Sequence, residues 1–242
     1  MTGTVLVFGA GTPNGIGGAI SARFAAVGHR VVVTGRTQEK IDQTAIAIRS
    51  VGGKADALAC DVTKEADVNR VFKHVEEIGE PVASVIYNAG GNAPISFEDI
   101  TSAQFEAFWQ VGFMGGFHTA KRAMSVLARQ GSGSMLFTGA SASIRGKPNF
   151  AHFSAAKGAL RNLAQALARE YGPRGVHVAH IVIDGVVDGE RAQSLFGDNL
   201  KDLGTDGSLD PHAIAETFLM VHNQHRSAWT HELDLRPFKE VW

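Results

Sequence analysis

Cysteine is nearly absent. Cys60 is the single one in 242 residues, which excludes an internal disulfide framework and fits a reducing compartment. No sign of charge dominates, since 23 lysines and arginines stand against 24 aspartates and glutamates. A nucleic-acid or anionic-membrane footprint is therefore not expected. No apolar run approaches the roughly 18 residues of a membrane span, and MTGTVLVFGAG carries no basic leader. Neither a span nor a signal peptide is expected, and the chain reads as cytoplasmic. Repeats, low-complexity tracts and domain linkers are missing as well. Tyrosine is scarce: only Tyr87 and Tyr171 occur.

What is present is 44% hydrophobic sequence arranged as short apolar runs between longer segments of helical spacing. The runs are TVLVFGA (4–10), RVVVTG (30–35), ADALACD (55–61), SVIYNAG (84–90), SMLFTGA (134–140) and HVAHIVID (177–184). Several are apolar at successive positions, as strands buried on both faces are. Strand alternating with helix predicts an α/β fold, a Rossmann-like doubly wound parallel sheet in three layers, over one domain spanning 1–242. The stretch 188–210 departs from this pattern. It is rich in Gly, Asp and Asn around an apolar patch at Ser194, Leu195 and Phe196, and is expected to be a lid.

FGAGTPNGIGGAI joins the first strand to the first helix. Its glycines Gly11, Gly15 and Gly17, with Asn14 and Ile16 in the same turn, suit a backbone that turns tightly against a pyrophosphate. The helix amides and positive dipole end would face the phosphates. A glycine pattern alone is weak; its place between first strand and first helix gives it weight. A tight turn without a ligand is the competing account. The second strand ends in Gly35 and Arg36, where a carboxylate would select NAD. A guanidinium fork suits the 2′-phosphate of NADP, so NADP is expected, with NAD possible. An arginine on a solvated helix start is the blander account.

On these residues the chain resembles the short-chain dehydrogenase/reductase family over nearly its whole length. The match is carried by Gly11, Gly15 and Gly17, by Cys60-Asp61-Val62 after the third strand, by Asn88-Ala89-Gly90 after the fourth, and by Lys157. The resemblance implies that Asp61 and Val62 hold the adenine, that Asn88, Ala89 and Gly90 line the cofactor cleft, and that Lys157 binds the nicotinamide ribose. It adds Val187 to the cofactor contacts. It also implies a homodimer or homotetramer, paired through the helix bearing Lys157 and the one before it.

The departures fall on the chemistry. Members of the family use a tyrosine as proton donor or acceptor, a lysine that lowers its pKa, a serine that polarises the carbonyl, and an asparagine that supports a relay water. Counting from Lys157, the tyrosine position holds Phe153, the serine position Ala140 and the asparagine position Gly112. Phe cannot exchange a proton and Ala cannot donate to an oxyanion. Losing a positioned acid/base costs about 10²–10⁴ in rate, and losing an oxyanion donor roughly 10²–10³. A minority group within the family resembles this chain in carrying Phe for Tyr while keeping the lysine.

Substitutes to weigh are Ser141 and Ser143 beside the empty serine position, His152 before Phe153, and Asp184. Ser141 stands one residue out of phase if 134–140 continues as a strand. His152 is expected to line the outer cleft. Asp184 is either a base with a raised pKa, if desolvated, or a cap on the strand end that orders the lid; the cap is preferred. Among ten histidines, His222 and His225 share a helical spacing near His231. No Cys or obvious carboxylate completes a ligand set, so no metal is expected and surface histidines are the preferred account. Phe105, Phe108, Trp109, Phe113 and Phe117 form an aromatic stripe, expected to serve core or subunit packing, or to wall a substrate pocket. Three functions remain open. They are an NADP-dependent oxidoreductase with a substitute proton source, a non-catalytic nucleotide-binding sensor or assembly partner, and a protein doing proton chemistry through Asp184 or Ser141. The small-molecule substrate is unknown.

Overall fold

A computed structural model describes residues 2–190, 192–193 and 197–240. Seven strands form one parallel sheet in the order β3-β2-β1-β4-β5-β6-β7. They are β1 (Thr4–Phe8), β2 (Arg30–Gly35), β3 (Lys54–Ala59), β4 (Val82–Tyr87), β5 (Ser134–Thr138), β6 (His177–Ile183) and β7 (Glu232–Leu235). The helices are α1 (Ile16–Ala26), α2 (Gln38–Ser50), α3 (Glu65–Ile78), α4 (Ser102–Trp109), α5 (Gly115–Gln130), α6 (Ala151–Tyr171) and α7 (Pro211–His222).

The unbroken apolar runs arise from burial on both faces. In β1 every residue is buried; Val5 and Val7 face α1, α2 and α7, while Leu6 and Phe8 face α3, α5 and α6. One face packs on Ile20, Phe24, Ile41, Ile48, Ile214 and Phe218, the other on Val68, Phe72, Met124, Leu127 and Leu160. Strand order reverses between β1 and β4. Such a switch point opens a crevice beyond the carboxyl ends of the strands. No helix among the described residues is long and apolar enough to cross a membrane.

Three expectations are corrected. The runs 4–10, 55–61, 84–90 and 134–140 end as strands at Phe8, Ala59, Tyr87 and Thr138. Their last residues leave the sheet to build loops at the crevice. The seventh strand was not anticipated, because ELDL is a four-residue edge strand whose alternation is too short to read. Its leucines pack on the core, and Glu232 faces charge instead. The histidines are not all on the surface: His29, His177 and His180 are buried. His222 closes α7 with its ring 5.4 Å from that of Phe24 and its Nδ1 2.8 Å from Ser134 Oγ. His225 lies past the end of that helix. No group of three or more His, Cys, Asp or Glu among the described residues is arranged to hold a metal ion.

These buried rings carry a pH dependence. Burial pushes His180 down to about 4, against the pull of Glu232, and pushes His222 down to about 4. The unfolded chain binds protons on both near 6.5, so stability is full above that pH and falls as pH drops from 6.5 toward 4. Between pH 7.5 and pH 5.0 each should remove about 2 kcal/mol. Urea midpoints at the two pH values are expected to show a loss of about 4 kcal/mol. A flat profile would mean that water already reaches these rings in the native state.

Candidate functional site

Beyond Phe8 the chain turns at Gly9 with φ 86°, and a Cβ there would stand 2.5 Å from the Ala89 backbone. Contact this close joins the turn after β1 to the stretch Asn88-Ala89-Gly90. The Asn88 amide donates to the Phe8 carbonyl at 2.8 Å, and Asn88 Nδ2 donates to the Gly9 carbonyl at 2.8 Å. Gly17 packs so tightly beneath the turn that a Cβ would lie 2.4 Å from the Gly9 oxygen. The N-terminus of α1 has Gly15 as its cap, no side-chain cap and no acid in its first turn. Its first amides and its positive dipole end are open to an anion. Ile16 turns inward to the core. The Asn14 carbonyl lies 3.1 Å from the Cβ position of Gly189, so the chain beyond β6 runs against the turn.

Arg36 is exposed one residue past β2 and makes no hydrogen bond or ion pair with any described residue. A Cβ on Gly35 would stand 4.0 Å from the Gly11 amide nitrogen, which places this strand end beside the turn. Asp61 accepts from the Thr63 amide at 3.1 Å and from its hydroxyl at 2.8 Å through one oxygen. Val62 is buried with its carbonyl 3.2 Å from His118 Nδ1. Cys60 beside them is buried, and burial, followed by Asp67, pushes its thiol up to about 12. It is no nucleophile at neutral pH.

Lys157, on the second turn of α6, is buried and donates to the Thr138 carbonyl at 2.7 Å. Thr138 Oγ1 donates in turn to Asn88 Oδ1 at 2.9 Å. A continuous hydrogen-bonded chain therefore runs from Lys157 through Thr138 and Asn88 to Gly9, across the ends of β5, β4 and β1. Burial pushes the ammonium down to about 8. Its Nζ is 3.6 Å from the Cβ position of Gly90 and 5.8 Å from the centre of the Phe153 ring.

No phenol is within reach. Tyr87 is fully buried and its hydroxyl, pushed up by burial, donates to the Val111 carbonyl. That carbonyl belongs to the π-helical turn Gln110–Met114 linking α4 to α5, with Gly112 at its centre. Such a turn breaks the regular helix ladder, and Tyr87 supplies a partner there. A Cβ on Gly112 would come within 2.7 Å of Ala156 Cβ, so the helices close over the position. Tyr171 lies at the far end of α6, 5.0 Å from the Arg174 guanidinium.

The substitutes fare unequally. The strand stops at Thr138 and Ser141 opens a short 3₁₀ turn, Ser141–Ser143. The phase argument against Ser141, which assumed a strand through 140, therefore does not apply. Ser143 is buried, its Oγ accepting from the Ala140 amide at 3.1 Å. His152 is buried, its ring 4.2 Å from that of Phe108, and burial lowers its pKa against the opposing Ala93 backbone. Asp184 is buried at the end of β6. Both its oxygens lie 3.0 Å from Arg145 Nη2, and Arg236 Nη2 is 3.7 Å away. A carboxylate so engaged has lost the isolation that a desolvated base needs.

Sequence reasoning missed Thr138 and Arg145. Each partnership spans a long sequence separation, and spacing carries no trace of it. The aromatic stripe is not core within this chain: none of the residues of α4 is buried. Phe97, Ile100, Phe105 and Trp109 line a cleft of about 620 Å³ on that side. Beyond β6, Val187 forms a parallel bridge with Leu209, tying the ends of the expected lid together. A 3₁₀ segment, Gly197–Leu203, lies between; Ser194, Leu195 and Phe196 lie outside the described residues.

Comparison with known proteins agrees with this geometry. The short chain dehydrogenase family matches residues 3–199. The 3-oxoacyl-[acyl-carrier-protein] reductase MabA of Mycobacterium tuberculosis is 33% identical over 192 residues, covering 79% of this chain and 72% of that one. A short-chain dehydrogenase from Rhodopseudomonas palustris superposes with a TM-score of 0.82 at 31% identity, over 97% of this chain and 98% of its own. A metagenomic short-chain oxidoreductase in complex with NADP shares the fold at 22% identity, with a TM-score of 0.82 over 97% of this chain and 96% of that one.

Proposed function

The chain belongs to the short-chain dehydrogenase family, and we propose that it is an NADP(H)-dependent oxidoreductase working without the family's tyrosine. The observation that carries this reading is the intact chain from Lys157 through Thr138 and Asn88 to the glycine turn. A merely residual fold would have no reason to keep a buried ammonium hydrogen-bonded at the ends of three strands. The residues fit the cofactor: the open N-terminus of α1 suits its pyrophosphate, and Arg36, which has no partner among the described residues, its 2′-phosphate. Asp61 and Val62 would hold the adenine, and Lys157 the ribose beside the nicotinamide. When bound, the cofactor supplies or accepts a hydride.

Lys157 would keep its ammonium available near neutral pH, with Thr138 fixing its direction. Phe153 moves no proton, so the substrate must be one whose carbonyl needs little acid assistance. The same emptiness supports a second reading, a non-catalytic NADP(H)-binding sensor or assembly partner. The half-exposed aromatics of α4 support assembly into a homodimer or homotetramer in either case.

Titration with NADPH and NADH, followed by nicotinamide fluorescence, tests the reading. NADPH is expected to bind at least about tenfold tighter, and Arg36→Ala to abolish that preference. Lys157→Ala should weaken NADPH by about tenfold through loss of a charge-assisted hydrogen bond. Binding of neither nucleotide would overturn both readings.

A further inference from the structure

Asp184 is a buried carboxylate with no role in the reading above, and what it holds is an arginine at the crevice. Arg145 follows the Ser141–Ser143 turn after β5, and Asp184 follows β6, the neighbouring strand. Both therefore stand beyond the carboxyl ends of the strands, on the side of Lys157. Ile181 pairs with Thr138, the residue that takes the Lys157 ammonium. Asp184 lies three residues farther along, roughly 10 Å at strand rise.

The pair is asymmetric. The Asp184 side chain is 5% exposed and that of Arg145 41%. Arg145 reaches the carboxylate through Nη2 alone, 3.0 Å from each oxygen. Its Nε and Nη1 form no hydrogen bond with any described residue. Arg236 brings a second guanidinium to 3.7 Å of the same carboxylate and pairs with Asp234 as well. A surface ion pair needs no such footing. A buried acid is costly unless it has work to do, and here it fixes a half-exposed guanidinium with unspent donors.

We propose that Arg145 is an anion-binding residue for the substrate, and that the site takes carbonyl compounds carrying a carboxylate. This rests on the oxidoreductase reading and deepens it. The carboxylate would meet Nη1 of Arg145, with the carbonyl toward Lys157. Asp184 is a positioning residue: it touches Arg145, not the ligand.

The test is calorimetric binding of a series of oxo-carboxylates, with one to four methylenes between ketone and carboxylate, against their methyl esters. Each is measured with and without saturating NADPH. Wild-type protein is expected to prefer at least one acid over its ester by about 10- to 100-fold, the range of a charge-assisted hydrogen bond. Arg145→Gln should remove that preference while leaving NADPH affinity within about twofold. Arg145→Lys, which keeps the charge but not a planar group able to meet Asp184 and a ligand at once, should retain only part of it. Should Arg145→Gln fail to fold for want of a partner to Asp184, Arg145→Lys and the wild-type comparison still decide. Equal binding of acids and esters by wild type overturns the proposal, as does an acid preference that survives in Arg145→Gln. Failure of NADPH to bind, with the acid preference intact, would sink the nucleotide reading and leave the anion site standing.

Discussion

Phe153→Tyr alone is expected to leave NADPH-dependent ketone reduction within about tenfold of wild type, while Phe153→Tyr with Ala140→Ser should raise it about 10²–10⁴-fold. The lysine that would tune the new phenol is already in place, its Nζ 5.8 Å from the Phe153 ring centre and held on Thr138. What a phenol alone cannot supply is a second donor at the carbonyl oxygen. Ala140 has none, and Ser143 is held by the Ala140 amide that donates to its Oγ. Oxyanion donors and the proton source act on the same transition state, so their effects are not additive and the pair should exceed the sum of the singles. The measurement is NADPH consumption against a panel of small ketones. A hundredfold rise from the tyrosine alone would show that Ser141 already fills the polarising role. No rise in the double variant would show that the pocket has been rebuilt for another chemistry and would favour the non-catalytic reading. Adding Gly112→Asn is not expected to help. Its Cβ would fall 2.7 Å from Ala156 Cβ, and overpacking there should lower stability by about 1–3 kcal/mol.

The contrast between these positions shows what a sequence can and cannot convey. The glycine turn, Asn88 and Lys157 were legible because each stands at a fixed place relative to a strand end, and strand ends follow from apolar runs. Phe153 and Ala140 were assigned to the tyrosine and serine positions in the same way, by counting from Lys157. What escaped was contact between distant segments. Thr138 looks like the end of a strand, yet its carbonyl orients the lysine and its hydroxyl the asparagine. Arg145 looks like a loop arginine, and only the meeting of β5 and β6 brings it to Asp184. Two local features escaped for a common cause: short elements give periodicity too few residues to act on. The edge strand at Glu232–Leu235 has four residues. The turn at Gly112 is a defect in an otherwise regular helix, fixed by Tyr87 from beneath rather than by its own sequence. The histidines misled differently. His is amphipathic, and composition cannot say which rings the core will accept.

Gly17→Val is expected to cost about 3 kcal/mol or more and to weaken NADPH by at least about a hundredfold. The reason is geometric. A Cβ at this position would stand 2.4 Å from the Gly9 oxygen, 2.7 Å from Ala10 Cα and 2.8 Å from the Ala10 oxygen. All three are backbone atoms at the root of the turn, so no side chain can swing aside to make room. The first turn of α1 would have to retreat from β1, carrying with it the amides proposed to face the pyrophosphate. Retreat would also disturb Gly9, whose carbonyl anchors Asn88 and through it Thr138 and Lys157. One added side chain should thus be felt at both ends of the cofactor cleft. Gly11→Ala is the control, since nothing lies within 4 Å of its Cβ position and only its φ of 65° opposes the change. The cost there should be about 1 kcal/mol from left-handed backbone, with little loss of fold. Urea midpoints and NADPH titrations on the two variants separate the effects. If Gly17→Val folds and still binds NADPH within tenfold of wild type, the turn serves only to connect β1 to α1. The nucleotide would then have to be held elsewhere.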